Sequence, residues 1–201
     1  TVQVTNALGC VAHDTIHIDV AGTAPVANFE TGNLCRTYPV TFTNTSLALD
    51  GAEIESVLWN FNEQSTATTT HANYAFAQAG EVAVTLTVNT NQGCTNDTTQ
   101  TLRIHELPVS QFMPLQVCEG ATLQLQNHSQ STDGEITAYA WQIADQWYNT
   151  AQPQHTFATA GSTFVQMVSR TEHNCPDTLE TYITVKPAPV AAFSYDTICM
   201  G

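Results

Sequence analysis

Positive charge is nearly missing from this chain. Among 201 residues, four Lys and Arg stand against eighteen Asp and Glu, a net charge of −14. Arg36, Arg103, Arg170 and Lys186 are the whole positive complement. Nothing here could neutralise phosphates, which excludes nucleic acid as a partner. An anionic membrane surface would repel the chain as well. The same charge keeps it soluble and pushes identical copies apart unless salt or divalent ions screen them. No apolar run approaches the roughly 20 residues that a membrane helix needs. No segment carries a helical stripe. Cys-x-x-Cys, Gly-x-Ser-x-Gly and phosphate-cradling loops do not occur. No catalytic residue, metal ligand or cofactor is therefore assigned, and the chain is not expected to be an enzyme.

What the sequence does have is long-range order. Pro25-Val26-Ala27-Asn28-Phe29 returns as Pro108-Val109-Ser110-Gln111-Phe112 and as Pro189-Val190-Ala191-Ala192-Phe193. Asn44-Thr45-Ser46 returns as Asn127-His128-Ser129, Trp59 as Trp141, and Phe76-Ala77-Gln78-Ala79-Gly80 as Phe157-Ala158-Thr159-Ala160-Gly161. Two complete repeats follow, at 25–106 and 107–187. Residues 1–24 read as the end of a preceding repeat and 188–201 as the first strand of a following one. A fragment of one or two strands cannot bury a sheet face by itself, so the chain is expected to be a segment of a longer protein.

Each repeat is near 80 residues, a size at which a core alone is marginal and staples are expected. Threonine abundance favours strands. Val82, Val84, Leu86 and Val88 alternate with Ala83, Thr85 and Thr87, and Val165 and Met167 with Phe164, Gln166 and Val168, the period of half-buried strands. Asp50-Gly51, Ala79-Gly80, Asp133-Gly134 and Ala160-Gly161 mark turns. Short strands with a tryptophan on a middle one predict an all-β fold, tandem immunoglobulin-like sandwiches, with Trp59 and Trp141 in the cores.

These residues resemble the PKD domain, a seven-stranded sandwich common in bacterial surface proteins. The family's Trp-Asp-Phe-Gly-Asp-Gly stretch reads here as Trp59-Asn60-Phe61-Asn62-Glu63-Gln64 and Trp141-Gln142-Ile143-Ala144-Asp145-Gln146. The tryptophan is kept and the acidic–glycine turn is lost. Pro153-Gln154-His155-Thr156-Phe157 resembles the family's Asn-Pro-x-His-x-Tyr, and Ala79-Gly80 to Leu86 its Ala-Gly-x-x-x-Val-x-Leu strand. The paired cysteines resemble PKD arrays of giant Bacteroidota cell-surface adhesins and filaments. That resemblance implies an extracellular, surface location and neighbouring PKD-like domains, filament copies or surface glycans as partners.

Cys10, Cys94 and Cys175 each sit just after a long apolar–polar alternation. Cys35, Cys118 and Cys199 each lie six residues after the phenylalanine of the Pro-Val-x-x-Phe motif. Six cysteines in register in such a chain read as disulfides. Two pairings stay open. Within a repeat, Cys35 would bond Cys94 and Cys118 would bond Cys175. Strand parity favours the other: the two cysteines of one copy lie at opposite ends of a sandwich, roughly 23 Å apart for seven residues, and a disulfide needs Cα atoms within about 7 Å. Cys35 would then bond Cys175 across the repeat boundary, and Cys10, Cys94, Cys118 and Cys199 would pair with domains outside the chain. Short proline-containing linkers, His105 to Pro108 and Lys186 to Pro189, suit a stiff array.

Other candidates are local. Asp133, Glu135 and Asp145 read as solvated turn residues rather than a calcium or acid–base site, since they lack the ligand alternation of a calcium loop. No histidine holds a repeat-wide position, and His155 is expected to pack in a turn. Trp147 and Tyr148 lack an equivalent in the preceding repeat and are either hairpin packing or a surface contact, including stacking on carbohydrate. Thr15, Thr98, Thr178 and Thr197 sit in Asp-Thr-x triplets that resemble a Bacteroidota O-glycosylation acceptor. The sequence thus leads to a structural or adhesive, disulfide-stiffened rod, with a binding or spacer module of a secreted polysaccharide hydrolase or protease as the alternative.

Overall fold

The computed structural model describes residues 1–17 and 22–194. Every regular element among them is a β-strand. The chain divides into two compact units. One gathers Thr1–Glu30, Phe42–Ala72 and Ala83–Thr101; the other gathers Thr31–Thr41, Asn73–Val82 and the chain from Leu102 onward.

The first unit opens on a hairpin of β1 (Val2–Thr5) and β2 (Val11–Asp14), with Val2 opposite Asp14. Asn6 shapes its turn: the side-chain Oδ1 accepts the amides of Leu8 and Cys10. Every residue of these two strands is exposed. The unit's core forms on β5 (Ile54–Phe61), which pairs with β6 (Ser65–Ala67) and β8 (Gly80–Thr90). Trp59 lies opposite Ala67 and Leu86 and is fully buried. Its ring meets Phe29 edge-on at 5.3 Å and lies 5.9 Å from Phe42. Burying an indole strands its N–H unless a partner is supplied; here Nε1 donates to the Thr69 carbonyl at 3.0 Å. The strand order is β6-β5-β8-β9, with β9 at Thr95–Ile104, and β3 (Phe29–Thr31), β4 (Val40–Asn44) and β7 (Ala72–Tyr74) form a three-stranded sheet.

In the second unit β14 (Ile136–Ile143) lies between β15 (Gln146–Tyr148) and β17 (Gly161–Thr171), and β18 (Pro176–Lys186) lies between β17 and β11 (Gln116–Cys118). Two small pairs complete it, β10 (Phe112–Met113) with β13 (Gln126–Asn127), and β12 (Thr122–Gln124) with β16 (Gln154–Thr156). Phe112, Leu125, Trp141, Ile143, Phe157, Val165, Met167, Ile183 and Val185 make one buried cluster. Trp141 repeats the Trp59 solution, its Nε1 donating to Thr150 O at 2.9 Å.

The recurring Asn-x-Ser triplets have a structural cause. The Asn44 and Asn127 side chains accept the amides of Ser46 and Ser129. Each serine Oγ then accepts an amide from the first strand region, Asn28 or Gln111. The motif pins the opening segment of each repeat by satisfying backbone groups that no ladder reaches.

The turn that follows each tryptophan strand is left-handed. Asn62 and Glu63 have φ of 50° and 60°, and Ala144 has φ of 50°. Without glycine this left-handed conformation is disfavoured for Glu and Ala, so each copy holds a strained residue at this turn.

One feature of β11 decides where the cysteines go. It runs parallel to β18, with Cys118 beside Lys186. Cys35 makes the equivalent parallel bridge to His105, with His105 N donating to Leu34 O at 2.7 Å and Arg36 N to His105 O at 2.9 Å. Cys35 and Cys118 thus occupy equivalent places in the two repeats. They sit on a short edge segment laid alongside the last strand, because the opening segment leaves its first sheet and pairs again further on.

Candidate functional site

The second unit brings Cys35 and Cys175 together as a disulfide, with Cα atoms 5.4 Å apart. Both cysteines are buried. Cys35 is held by the bridge to His105, and Cys175 by the hairpin between β17 and β18, where its amide meets Thr171 Oγ1 and Thr171 N donates to Cys175 O. A cysteine bonds one partner, so Cys35 is not joined to Cys94, nor Cys175 to Cys118. Among the described residues Cys10, Cys94 and Cys118 carry free thiols, Cys94 half-buried and the other two exposed. Cys199 lies outside the described residues.

A polar clasp surrounds the bond. Arg36 Nε lies 2.8 Å from Glu106 Oε1. Asp133 is the hub: Oδ1 takes the Arg103 guanidinium at 3.1 Å, and Oδ2 accepts the Glu106 amide at 3.1 Å and faces His105 Nδ1 at 3.2 Å. Burial alone would raise the Asp133 pKa. The Glu106 amide, the Arg103 and His105 hydrogen bonds and the Arg103 charge outweigh it and hold the carboxyl below its usual range. The His105 and His173 rings stack face to face, centroids 3.6 Å apart. The expectation that Asp133 is a solvated turn residue is thus corrected. Its side chain is only 15 % exposed, because the loop folds it onto the linker and the end of β9. Glu135 and Asp145 are exposed.

The preceding repeat shows which parts of the clasp are general. Asp50 occupies the position of Asp133 and accepts a hydrogen bond from Thr23 in the linker before its own repeat. Gly22 and Gln92 stand where His105 and His173 stand; a β-carbon on Gly22 would meet the Gln92 side chain and come 3.4 Å from Cys94 Sγ. The carboxylate-to-linker clasp recurs, while the imidazole pair belongs to one junction. Sequence reading missed His105, His173, Arg36 and Glu106. The only signal for the clasp was the shared place of Asp50 and Asp133.

The remaining candidates scatter. Trp59 and Trp141 are core residues. Trp147 is 65 % exposed. Tyr148, paired with it as a surface contact, is half-buried and packs against the core cluster. Its hydroxyl lies 2.9 Å from His155 Nδ1. His155 stands edge-on to Phe157 at 4.8 Å, and burial lowers its pKa. Thr15 and Thr178 are exposed and Thr98 half-buried; Thr197 lies outside the described residues.

Tandem all-β repeats with buried middle-strand tryptophans and a cystine between them define a class, the tandem immunoglobulin-like sandwich. The PKD domain family model matches residues 22–106 and 105–185, and the chain belongs to the PKD domain family. It is similar to the PKD1 domain of Vibrio anguillarum Epp, at 32 % identity over 41 % of this chain and 95 % of that one, TM-score 0.38. It is likewise similar to the PKD1 domain of the Vibrio cholerae metalloprotease PrtV, at 34 % identity over 41 % and 98 %, TM-score 0.37. Fibronectin(III)-like modules of Clostridium thermocellum CbhA align at 9 % identity over 86 % and 100 %, TM-score 0.45. No match is found among curated proteins. Family membership supports a non-catalytic surface or spacer module, of a kind typically extracellular or surface-associated. Cys35 falls within the first matched domain and Cys175 within the second, so the disulfide links successive PKD domains.

Proposed function

We propose that this chain is a load-bearing segment of a long extracellular surface protein or filament, in which each PKD-like domain is covalently coupled to its neighbours. The observation that carries this is the Cys35–Cys175 bond, which joins consecutive domains rather than the two ends of one. In this reading Cys94 and Cys10 couple backward, and Cys118 and Cys199 forward, to domains outside the chain. Cys94 Sγ supports it by lying near Gly22, in the linker before its own repeat, the residue that stands where His105 stands in the next repeat.

The mechanism is mechanical. The cystine closes a 140-residue separation, worth on the order of 5 kcal/mol in the chain-entropy model. The clasp of Asp133 on the linker resists bending where proline already limits it.

The Vibrio cholerae relative is a domain of a metalloprotease, which favours a second reading, a spacer in a secreted enzyme. Antibody raised against this chain separates the two. Labelling of intact cells in extended surface structures supports the filament. Antigen found only in culture fluid, co-purifying with a protease or hydrolase activity, overturns it.

A further inference from the structure

We propose that His105, Asp133 and His173 form a binding site for one divalent first-row transition ion of the zinc type, placed at the junction beside the disulfide.

The three side chains come from three separate segments: the end of the last strand of one repeat, the loop before β14, and the β17–β18 hairpin. Their donor atoms all lie within 4.8 Å of one another, and all three residues are half-buried. Two imidazoles and a carboxylate suit a borderline-soft ion, and are poor ligands for calcium or magnesium. Bonds of about 2.0–2.1 Å at a tetrahedral centre put neighbouring donors about 3.3 Å apart; His105 Nδ1 and Asp133 Oδ2 stand 3.2 Å apart. The His173 ring, stacked on His105 at 3.6 Å, must turn from face contact so that its nitrogen closes the third edge, a movement of about 1.5 Å by the same bond lengths. Water completes the fourth position. Arg103 and the Glu106 amide hold Asp133 from outside, the supporting contacts that orient a ligating carboxylate. His173 stands two residues from Cys175, so the cystine restrains its backbone before any ion arrives.

The architecture does not require the imidazoles. The preceding repeat has the same carboxylate, Asp50, on its linker, with Gly22 and Gln92 in place of the histidines. An ion here would cross-link the two domains a second time, under control of metal supply. The coupling by the disulfide stands whether or not an ion binds.

The test titrates zinc chloride into the oxidised chain with its remaining thiols alkylated, followed by calorimetry and by the histidine ring signals in NMR. We expect one ion per chain with proton release, shifts confined to His105 and His173, and a rise in Tm reversed by EDTA. His173→Gln and His105→Gln should each weaken binding about tenfold or more, and Asp133→Asn about tenfold. His173→Gln introduces the residue that the other repeat already carries there, which guards against a merely misfolded variant. Absence of binding at millimolar zinc, or undiminished binding in folded His173→Gln, overturns the site. So do ring shifts at His71 or His128 in place of His105 and His173.

Discussion

Asp133 shows how much one side chain can organise. Its carboxylate satisfies a linker amide, a guanidinium and an imidazole at once. Asp133→Asn keeps the shape and removes charge and acceptor capacity, and should destabilise the second domain by about 1–3 kcal/mol, read by urea unfolding. Ala144 makes the opposite case. Its φ of 50° is free to glycine, so Ala144→Gly should raise stability by about 1 kcal/mol; an unchanged or lower urea midpoint would show that the turn is unstrained. His155 is a proton-linked residue. Its folded pKa is lowered by burial, so the unfolded chain takes up a proton first as pH falls below about 6.5. The stability it contributes is full above that value and declines until the folded imidazole is protonated too. Unfolding at about pH 7.5 and about pH 5.5 should show a loss that is smaller in His155→Gln.

At the scale of elements, the strands were legible in the sequence and the edge segments were not. β8 and β17 announce themselves by period two, and their buried residues are the alternating ones: Val84, Leu86 and Val88, then Val165 and Met167. Trp59 and Trp141 stand mid-strand in both copies and are buried in both. β11 has three residues, too few for any period to show, and its parallel pairing depends on a last strand nearly 70 residues later. Tyr148 was unreadable for a related reason: on a short strand, one residue decides between core and solvent, and Trp147 took the outer face. The clasp was legible only through Asp50 and Asp133. Its other members do not recur, and only the fold sets His105 against His173.

For the whole molecule, the consequence of the disulfide is a limit on extension. Its cysteines are 140 residues apart, so pulling an oxidised chain from its termini cannot release the segment between them. Single-molecule stretching should give a total unfolding length about 48 nm longer after reduction, at about 3.4 Å per residue. Equal lengths in both states would mean that the repeats unravel independently.

The coupling of successive domains is tested most directly by the bond itself. Digestion of the unreduced protein with trypsin and a glutamate-specific protease separates Cys10 from Cys35 at Glu30, and Cys175 from Cys199 at Glu180. Mass spectrometry should find the peptide spanning 31–36 joined to the peptide spanning 173–180. The peptide 31–36 joined instead to the one spanning 82–103, which contains Cys94, would contradict the coupling and return each disulfide to the interior of a single domain.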